Sequence, residues 1–381
     1  MRRARLGLYI SEYNERNKMD FPLPVYSVTN SQGFCQQYFN KVVASENRST
    51  YKVVPRGCFA YNPSRINVGS IDWQRNEERV IVSPLYVVFQ TSMEMDNQFL
   101  YYYLRSDVAL TYIKNWGQGS VRDNLKFTQL SQIPINVYPI EEQQLIAQRL
   151  DVLSKLISLR QRQTEKLDEL VKARFVEMFG DPVRNTKQFP LVELQDLYDV
   201  SSSKRVYQDE MVLDGIPFLR ISDIVEKSTN DKCTPQCFIS QEMYDQLSKK
   251  GLTPNVGDIL VTSRGTLGLC YEVKPGEKFY FQDGMISWLY NRKDCVINTY
   301  LLYAFRMPGI RKQIDGSNDG STVSYLSIAR LKRLKIELPP LALQTEFSHF
   351  VHEADREKER IQRSAALLET LKRSLMQQYF G

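Results

Sequence analysis

The chain has 381 residues, of which 42% are hydrophobic and 25% charged, with a formal net charge of +6. That length and balance exclude a disordered or fibrous protein and leave room for two or three domains with sizeable cores. No apolar run of about 18 residues offers a membrane helix, and the opening MRRARLGLYISEYNERN is basic without the apolar stretch of a secretory signal.

In chain order, residues 1–138 read as a first globular segment. Tyr51–Asn62 predicts a turn and a short strand, and Ile81–Gln90 (IVSPLYVVFQ) a β-rich run broken by Pro84. Asn97–Lys114 (NQFLYYYLRSDVALTYIK) predicts an aromatic helix, with the tyrosines at helical spacing and therefore in the core. Residues 139–180 then predict one long helix. Pro139 precedes it, Glu141 and Glu142 fall in its first turn, and Gly180 followed by Asp181-Pro182 stops it. Ile146, Leu150, Leu153, Ile157, Arg160, Thr164, Leu167, Val171, Arg174 and Met178 alternate steps of four and three, the spacing of a coiled-coil seam.

The rest of the chain repeats this order 201 residues further on. Residues 181–338 hold a predicted strand at Pro254–Ser263, another at Gly284–Tyr290 and an aromatic helix at Thr299–Arg311. Residues 339–381 hold a second long helix whose seam runs Phe347, Val351, Ala354, Lys358, Ile361, Ala365, Leu368, Lys372, Leu375, Tyr379. Between 119–180 and 320–381 the register needs no gap, 13 of 62 residues are identical, and the ending Phe179-Gly180 recurs as Phe380-Gly381. Gly119-Ser120 and Gly320-Ser321 open the match. Repeated sequence of this kind marks repeated architecture.

The helices are electrically neutral: 141–180 carries seven basic and seven acidic residues, and 342–381 six and six. The surplus sits in the globular segments, with +5 of it in residues 1–140, which suits contact with phosphates and also occurs on ordinary solvated surfaces. The six cysteines are scattered, so reduced thiols and a cytoplasmic protein are expected. Cys233-x3-Cys237 lacks a second ligand pair. The only histidines, His349 and His352, fall on the last helix, where a solvated face is the expected environment. No phosphate-binding GxxxxGK[ST] loop is present, Gly117-Gln-Gly119 lacks a third glycine, and Tyr61-Asn62-Pro63-Ser64 lacks the second proline and the aromatic of an amino-methyltransferase motif. The expectation is no enzyme activity, no metal and no cofactor.

These features together resemble the specificity subunit of type I restriction–modification systems. The resemblance rests on Tyr138-Pro-Ile-Glu-Glu-Gln143 and Leu338-Pro-Pro-Leu-Ala-Leu-Gln344 at the helix starts, on Phe59–Ser70 and Ser83–Val88, and on Gly257–Thr266. Leu343 stands where the first helix has Glu142, and the stretch before Tyr51 is short beside residues 181–251. The resemblance implies an α+β fold. Two α/β target recognition domains, 1–138 and 181–338, would alternate with helical spacers, 139–180 and 339–381. The spacers would pair as an antiparallel coiled coil in a pseudo-two-fold tandem repeat, holding the heads roughly 50 Å apart or somewhat less. It also implies partners: double-stranded DNA read as a bipartite asymmetric target, two methyltransferase subunits and restriction subunits, with no membrane. A methylation-only assembly and a protein-binding scaffold with two heads are the alternative readings.

For DNA contact, the loop after the 57–61 strand offers Asn62, Ser64, Arg65 and Asn67, and its counterpart offers Thr262, Ser263, Arg264 and Thr266. Paired donors and acceptors of these kinds read base edges, and they are also ordinary turn residues. Gly265 and Gly268 would let the second loop approach a phosphate, and Gln282 and Asp283 are weaker candidates. For docking of partner subunits the resemblance points to Glu142, Gln143, Ile146, Leu150, Gln344, Phe347 and Val351 near the helix starts.

Overall fold

The computed structural model describes residues 2–36, 48–117, 124–180, 185–230, 233–316 and 325–381. It divides into two compact units, Met1–Gln163 with Ile361–Gly381, and Thr164–Arg360. The division does not follow the expected boundaries at 139 and 339, because each long helix gives one part to each unit. The positions Gly119-Ser120, Gly320-Ser321 and Asp181-Pro182 lie outside the described residues.

Each unit is built on the same four-stranded antiparallel sheet. In the first unit the strand order is Ile10–Glu12, Val87–Thr91, Phe59–Tyr61, Ile71–Trp73. In the second it is Asp199–Ser201, Ile286–Tyr290, Ile259–Thr262, Cys270–Glu272. Both faces of each sheet are covered, so the strands read as nearly continuous apolar runs. Period-two alternation still sorts the side chains. Phe59, Tyr61 and Phe89 point to the aromatic helices, whereas Ala60 and Val88 join Val54, Val80 and Val82 on the other face. Ile259, Val261 and Leu289 divide from Leu260, Ile286 and Trp288 in the same way.

On the first face, each expected aromatic helix is two helices. Asn97–Leu104 is followed by Asp107–Gly117, and Asn298–Ala304 by Pro308–Asp315. The breaks have local causes. The Ser106 hydroxyl accepts from the Ala109 N–H at 3.2 Å and caps the second helix. Pro308 has no N–H and can only begin a helix. The apolar periodicity continues across both breaks, so periodicity alone merges the pieces.

The two long helices are Ile140–Phe179 and Leu341–Phe380, each 40 residues and so about 60 Å long. Every predicted seam residue is buried or half-buried, including Arg160, Thr164, Lys358 and Lys372. Gly180 ends the first helix at φ +85°, its N–H bonded to the Val176 carbonyl at 2.8 Å. Within each unit the helix segments run antiparallel. In the first unit, the start of one helix (Ile146, Ala147, Leu150) shares a core with the end of the other (Leu375, Met376, Tyr379, Phe380). Asn136 Nδ2, Tyr138 OH and Arg149 Nη1 hold the last turn, donating to Gly381 O, Tyr379 O and Tyr379 OH. In the second unit Phe175 and Phe179 pack edge-on against Phe347, and Arg174 and Lys358 pair with Glu346 and Asp168.

Candidate nucleic-acid interface

The loop that leaves the third strand of each sheet lies against the segment that enters the last short helix of the head. In the first unit the Leu125 N–H donates to Pro63 O at 3.1 Å and Tyr61 OH to Leu125 O at 3.1 Å. In the second unit the Leu326 N–H donates to Ser263 O at 3.0 Å, and Arg264 forms a β-bridge with Tyr325. Asn124 and Tyr325, 201 residues apart, occupy corresponding places beside corresponding loops.

The first loop frames a groove of about 760 Å³. Asn62, Ser64, Asn124, Lys126 and Glu12 give its wall donors and acceptors, and Phe127 and Leu85 give it apolar surface. Asn62 is only partly free, because its Oδ1 accepts from Ser64 N at 3.1 Å and Ser64 Oγ at 2.9 Å. This is the conformational role of a turn asparagine. Arg65 is exposed and forms no ion pair among the described residues, and Asn67 is half-buried in a 3-10 turn. Asn124, Lys126 and Thr128 are exposed on the facing segment. No sequence motif marks them; they reach the groove only because the Leu125 backbone is tied to the loop.

In the second loop the structure corrects two assignments. Thr262 and Ser263 are buried, at 0% and 1% exposure, so neither side chain stands at the surface of the loop. The Thr262 hydroxyl donates to Thr266 O and accepts from Leu269 N at 3.0 Å, and Ser263 Oγ lies 2.8 Å from Ser287 Oγ. They hold the loop shut and leave Arg264, Gly265 and Thr266 exposed at its tip. The Arg264 guanidinium lies over the Tyr325 ring, 5.2 Å from the centroid, which limits its freedom without neutralising it. Gly265, at φ +65°, has open space where a side chain would stand, whereas a Cβ on Gly268 would meet Ile314 Cδ1 at 2.5 Å. Gly268 is therefore a packing glycine, not a phosphate-approach one. Asp283 is occupied by Arg205 Nε at 3.0 Å, and Gln282 is half-buried.

The residues expected to dock partner subunits are mostly interior. Gln143 and Gln344 are 0% exposed, Phe347 and Leu150 0%, Ile146 2% and Val351 3%, which leaves Glu142 as the exposed member of the set. A side chain filled in by its own unit has no surface to offer. Gln143 Oε1 accepts from Asp96 N at 2.9 Å, and its Nε2 donates to Glu94 O at 2.9 Å and Tyr138 O at 2.8 Å. Gln344 repeats all three bonds with Ile297 N, Cys295 O and Pro339 O, at 2.8, 3.0 and 2.8 Å. These amides fasten each long helix to the loop before its aromatic helix.

An exposed apolar stripe does exist on the central helix of the first unit: Leu145, Val152, Leu156 and Leu159, between 39% and 58% exposed. Its steps of seven, four and three make it a second line parallel to the seam, a signal the single-seam pattern obscures. His349 and His352 are exposed, and among the described residues no three His, Cys, Asp or Glu side chains converge as a metal site. No helix is long and apolar enough to cross a membrane among the described residues.

Comparison with known proteins agrees with this geometry. The family model for the type I restriction modification DNA specificity domain matches twice, over residues 7–169 and 187–369. A putative type I restriction enzyme specificity subunit of Haemophilus influenzae is 30% identical over 256 residues, covering 66% of this chain and 62% of that protein. A specificity subunit of the MjaIX type I enzyme of Methanocaldococcus jannaschii is 24% identical, covering 67% of this chain and 61% of that protein. The matches thus span about three fifths of the length of these relatives. Among solved structures, a chain from a study of complex assembly and conformational transition in the type I R-M system superposes with a TM-score of 0.63 at 18% identity, covering 99% of this chain and 97% of that one. The type I S subunit from M. genitalium gives 0.56 at 16% identity, covering 100% and 96%. The chain belongs to the type I restriction–modification DNA specificity family.

Proposed function

We propose that this chain is the DNA-reading subunit of a type I restriction–modification assembly. Each head reads one half of a bipartite, asymmetric duplex target, and the chain itself performs no chemistry. The observation that carries the proposal is the recurrence of one framework with two different loops at one place: Asn62–Asn67 facing Asn124–Thr128, and Arg264–Thr266 facing Tyr325. Equivalent placement with different chemistry is what two readers of different half-targets need. The exposed stripe Leu145, Val152, Leu156 and Leu159 is assigned to docking a methyltransferase subunit, two of which join one chain, with restriction subunits completing the nuclease.

The test is binding by the purified assembly to duplexes carrying single-base changes in both half-targets. Arg264→Ala is expected to relax preference at positions in one half only, and Arg65→Ala in the other. A lost bidentate base contact costs about 1–3 kcal/mol at its own position, whereas a lost phosphate contact weakens all sequences alike. An unchanged ranking of duplexes in both variants would overturn the assignment of these arginines. Absence of any sequence preference in the intact assembly would overturn the function.

A further inference from the structure

Lys372 occupies a seam position of the last helix, where the neighbouring turns place Leu368 and Leu375. The residue 201 positions earlier is Val171, which is 4% exposed in the core of the second unit. The first unit therefore half-buries an ammonium at a place where the second buries an alkyl group. The ammonium lies over the Tyr102 ring, 5.5 Å from its centroid, and has no ion pair among the described residues. Burial and then the repulsion of Arg105 hold the Lys372 pKa below its usual value, against the weaker pull of Asp151 and Glu369. Asp151 is already engaged by Tyr102 OH at 2.6 Å and Gln98 Nε2 at 2.7 Å.

Arg105 also forms no ion pair among the described residues. Its Nη1 and Nη2 donate to Gly69 O at 2.9 Å and Asn30 O at 2.6 Å, both neutral acceptors. These bonds fix the guanidinium without cancelling its charge. Arg75 also stands by Tyr101, both guanidinium carbons being 5.2 Å from that ring's centroid, but Asp72 neutralises it at 2.7 Å. Arg105, Lys372, Tyr101 and the hydroxyl-bearing Ser154 line one cleft of about 570 Å³, together with the paired Arg75 and Asp72, whose charges cancel. Two uncompensated cations facing a polar cleft is an arrangement that costs stability unless an anion occupies it. The second unit has no such pair at the corresponding place: Arg306 lies over Tyr303 at 4.9 Å, and Val171 replaces the lysine.

We propose that the Arg105–Lys372 cleft of the first unit is a phosphate site that takes a backbone phosphodiester of the duplex. The proposal rests on the DNA-reading function above for the source of the phosphate, and on the cleft alone for its chemistry. The contact positions the first head on its half-target and carries no sequence information. It also makes the two heads unequal in their dependence on salt.

The experiment uses the intact assembly with Lys372→Met, Lys372→Arg and Arg105→Gln. Lys372→Met is expected to weaken all duplexes roughly tenfold, as loss of a charged hydrogen bond does, with their ranking unchanged. The slope of log affinity against log salt should shrink by about 0.9, the signature of one phosphate. Lys372→Arg should restore the slope. Lys372→Met should also melt higher than the parent, because it removes a desolvated charge; a purely structural lysine would give a lower melting temperature. Arg105→Gln, which keeps a donor for Gly69 O, should reproduce the affinity loss. Pyrophosphate titrated calorimetrically into the chain should bind to the parent and not to Lys372→Met. If the parent ranks duplexes and Lys372→Met leaves slope and affinity unchanged, the phosphodiester site is overturned while the DNA-reading function stands. Pyrophosphate binding with an unchanged slope overturns the duplex as its source and assigns the cleft to a small phosphate. If the parent ranks no duplexes the function fails, and absence of pyrophosphate binding then overturns the site as well.

Discussion

The two units share one face of the sheet and differ on the other. On the shared face the correspondences extend to single hydrogen bonds. The Asn97 amide donates to Gly57 O at 3.0 Å and the Asn298 amide to Gly257 O at 2.7 Å, with both glycines near φ +88°. Leu6 N bonds to Ile133 O at 2.9 Å and Leu194 N to Leu334 O at 3.0 Å. On the far face, the strand at the corresponding place has opposite partners. Arg79–Val82 pairs antiparallel with Lys52–Pro55, whereas Tyr280–Phe281 pairs parallel with Ile216–Leu219. The second unit adds the helices Ile221–Asn230 and Gln241–Lys249 there, and the first has a Ser27–Thr29, Gly33–Cys35 hairpin. Buried polar bonds preserve the face next to the long helices, because losing one leaves an unpaired group in the interior. The far face is filled largely by apolar side chains, with polar bonds that are particular to each unit, and apolar packing tolerates rebuilding provided volume is filled.

The strongest way to break the comparison is to remove the phenylalanine that ends each long helix. Phe179 packs on Tyr300 and Phe347, with ring centroids 4.9 and 5.4 Å away, and Phe380 on Phe99 and Tyr103 at 5.2 and 5.7 Å. Each is nearly inaccessible. Phe179→Ala and Phe380→Ala should each cost about 3–5 kcal/mol of the stability of its own unit. Hydrogen exchange should show the loss in Asn298–Ala304 for the first variant and in Asn97–Leu104 for the second. Exchange that rises equally in both aromatic helices for either variant would contradict a separate core in each unit.

A finer test uses the paired glutamines. Gln143→Ala and Gln344→Ala each strand one backbone N–H and two carbonyls, at an expected cost of about 2–4 kcal/mol. Because the bond sets are the same, the two losses should agree within about 0.5 kcal/mol in urea unfolding followed unit by unit. A clear inequality would mean that the shared bonds carry different loads in the two heads.

These glutamines also show what the sequence discloses and what it withholds. The identity of Gln143 and Gln344 in an ungapped register is visible in the chain, as are both long helices, their seams and the tandem order of the heads. Their role is not visible. A polar residue at a helix start reads as surface, and only the fold brings Glu94, Asp96 and Tyr138 around one amide. The burial of Thr262 and Ser263 is hidden for the same reason, since hydroxyls that close a loop on itself have the composition of hydroxyls offered to a ligand. The Arg105–Lys372 cleft joins side chains 267 residues apart through antiparallel packing that no local pattern encodes. Arg65 and Arg264 stay exposed on corresponding loops because the strands before them are fixed by clear apolar runs.

The smallest expected effect separates the far faces by their response to acid. In the second unit the turn before Tyr280–Phe281 is organised by a carboxylate. Burial alone would raise the Glu277 pKa, but hydrogen bonds from Lys227, Tyr271 and Lys274 N outweigh it and hold the group below its usual value. The distances are 2.5 Å to Lys227, 2.7 Å to Tyr271 and 2.9 Å to Lys274 N. The first unit organises its corresponding turn with a neutral amide, Gln74 Oε1, which accepts from Asn76 N at 2.9 Å and Glu77 N at 3.3 Å. A carboxyl whose folded pKa is depressed contributes stability that is full above the unfolded value of about 4.3 and is lost as pH falls through the folded one. Between neutral pH and about 5, the two turns should therefore hold equally well, and below about 4 the second should loosen first. Hydrogen exchange of the Ile221–Asn230 helix, which Lys227 ties to this turn, should accelerate across that window in the parent. Glu277→Gln should exchange somewhat faster at neutral pH and lose most of the acid dependence, because the group that titrates is gone. An acid limb that survives in Glu277→Gln would place the titrating group elsewhere in the second head.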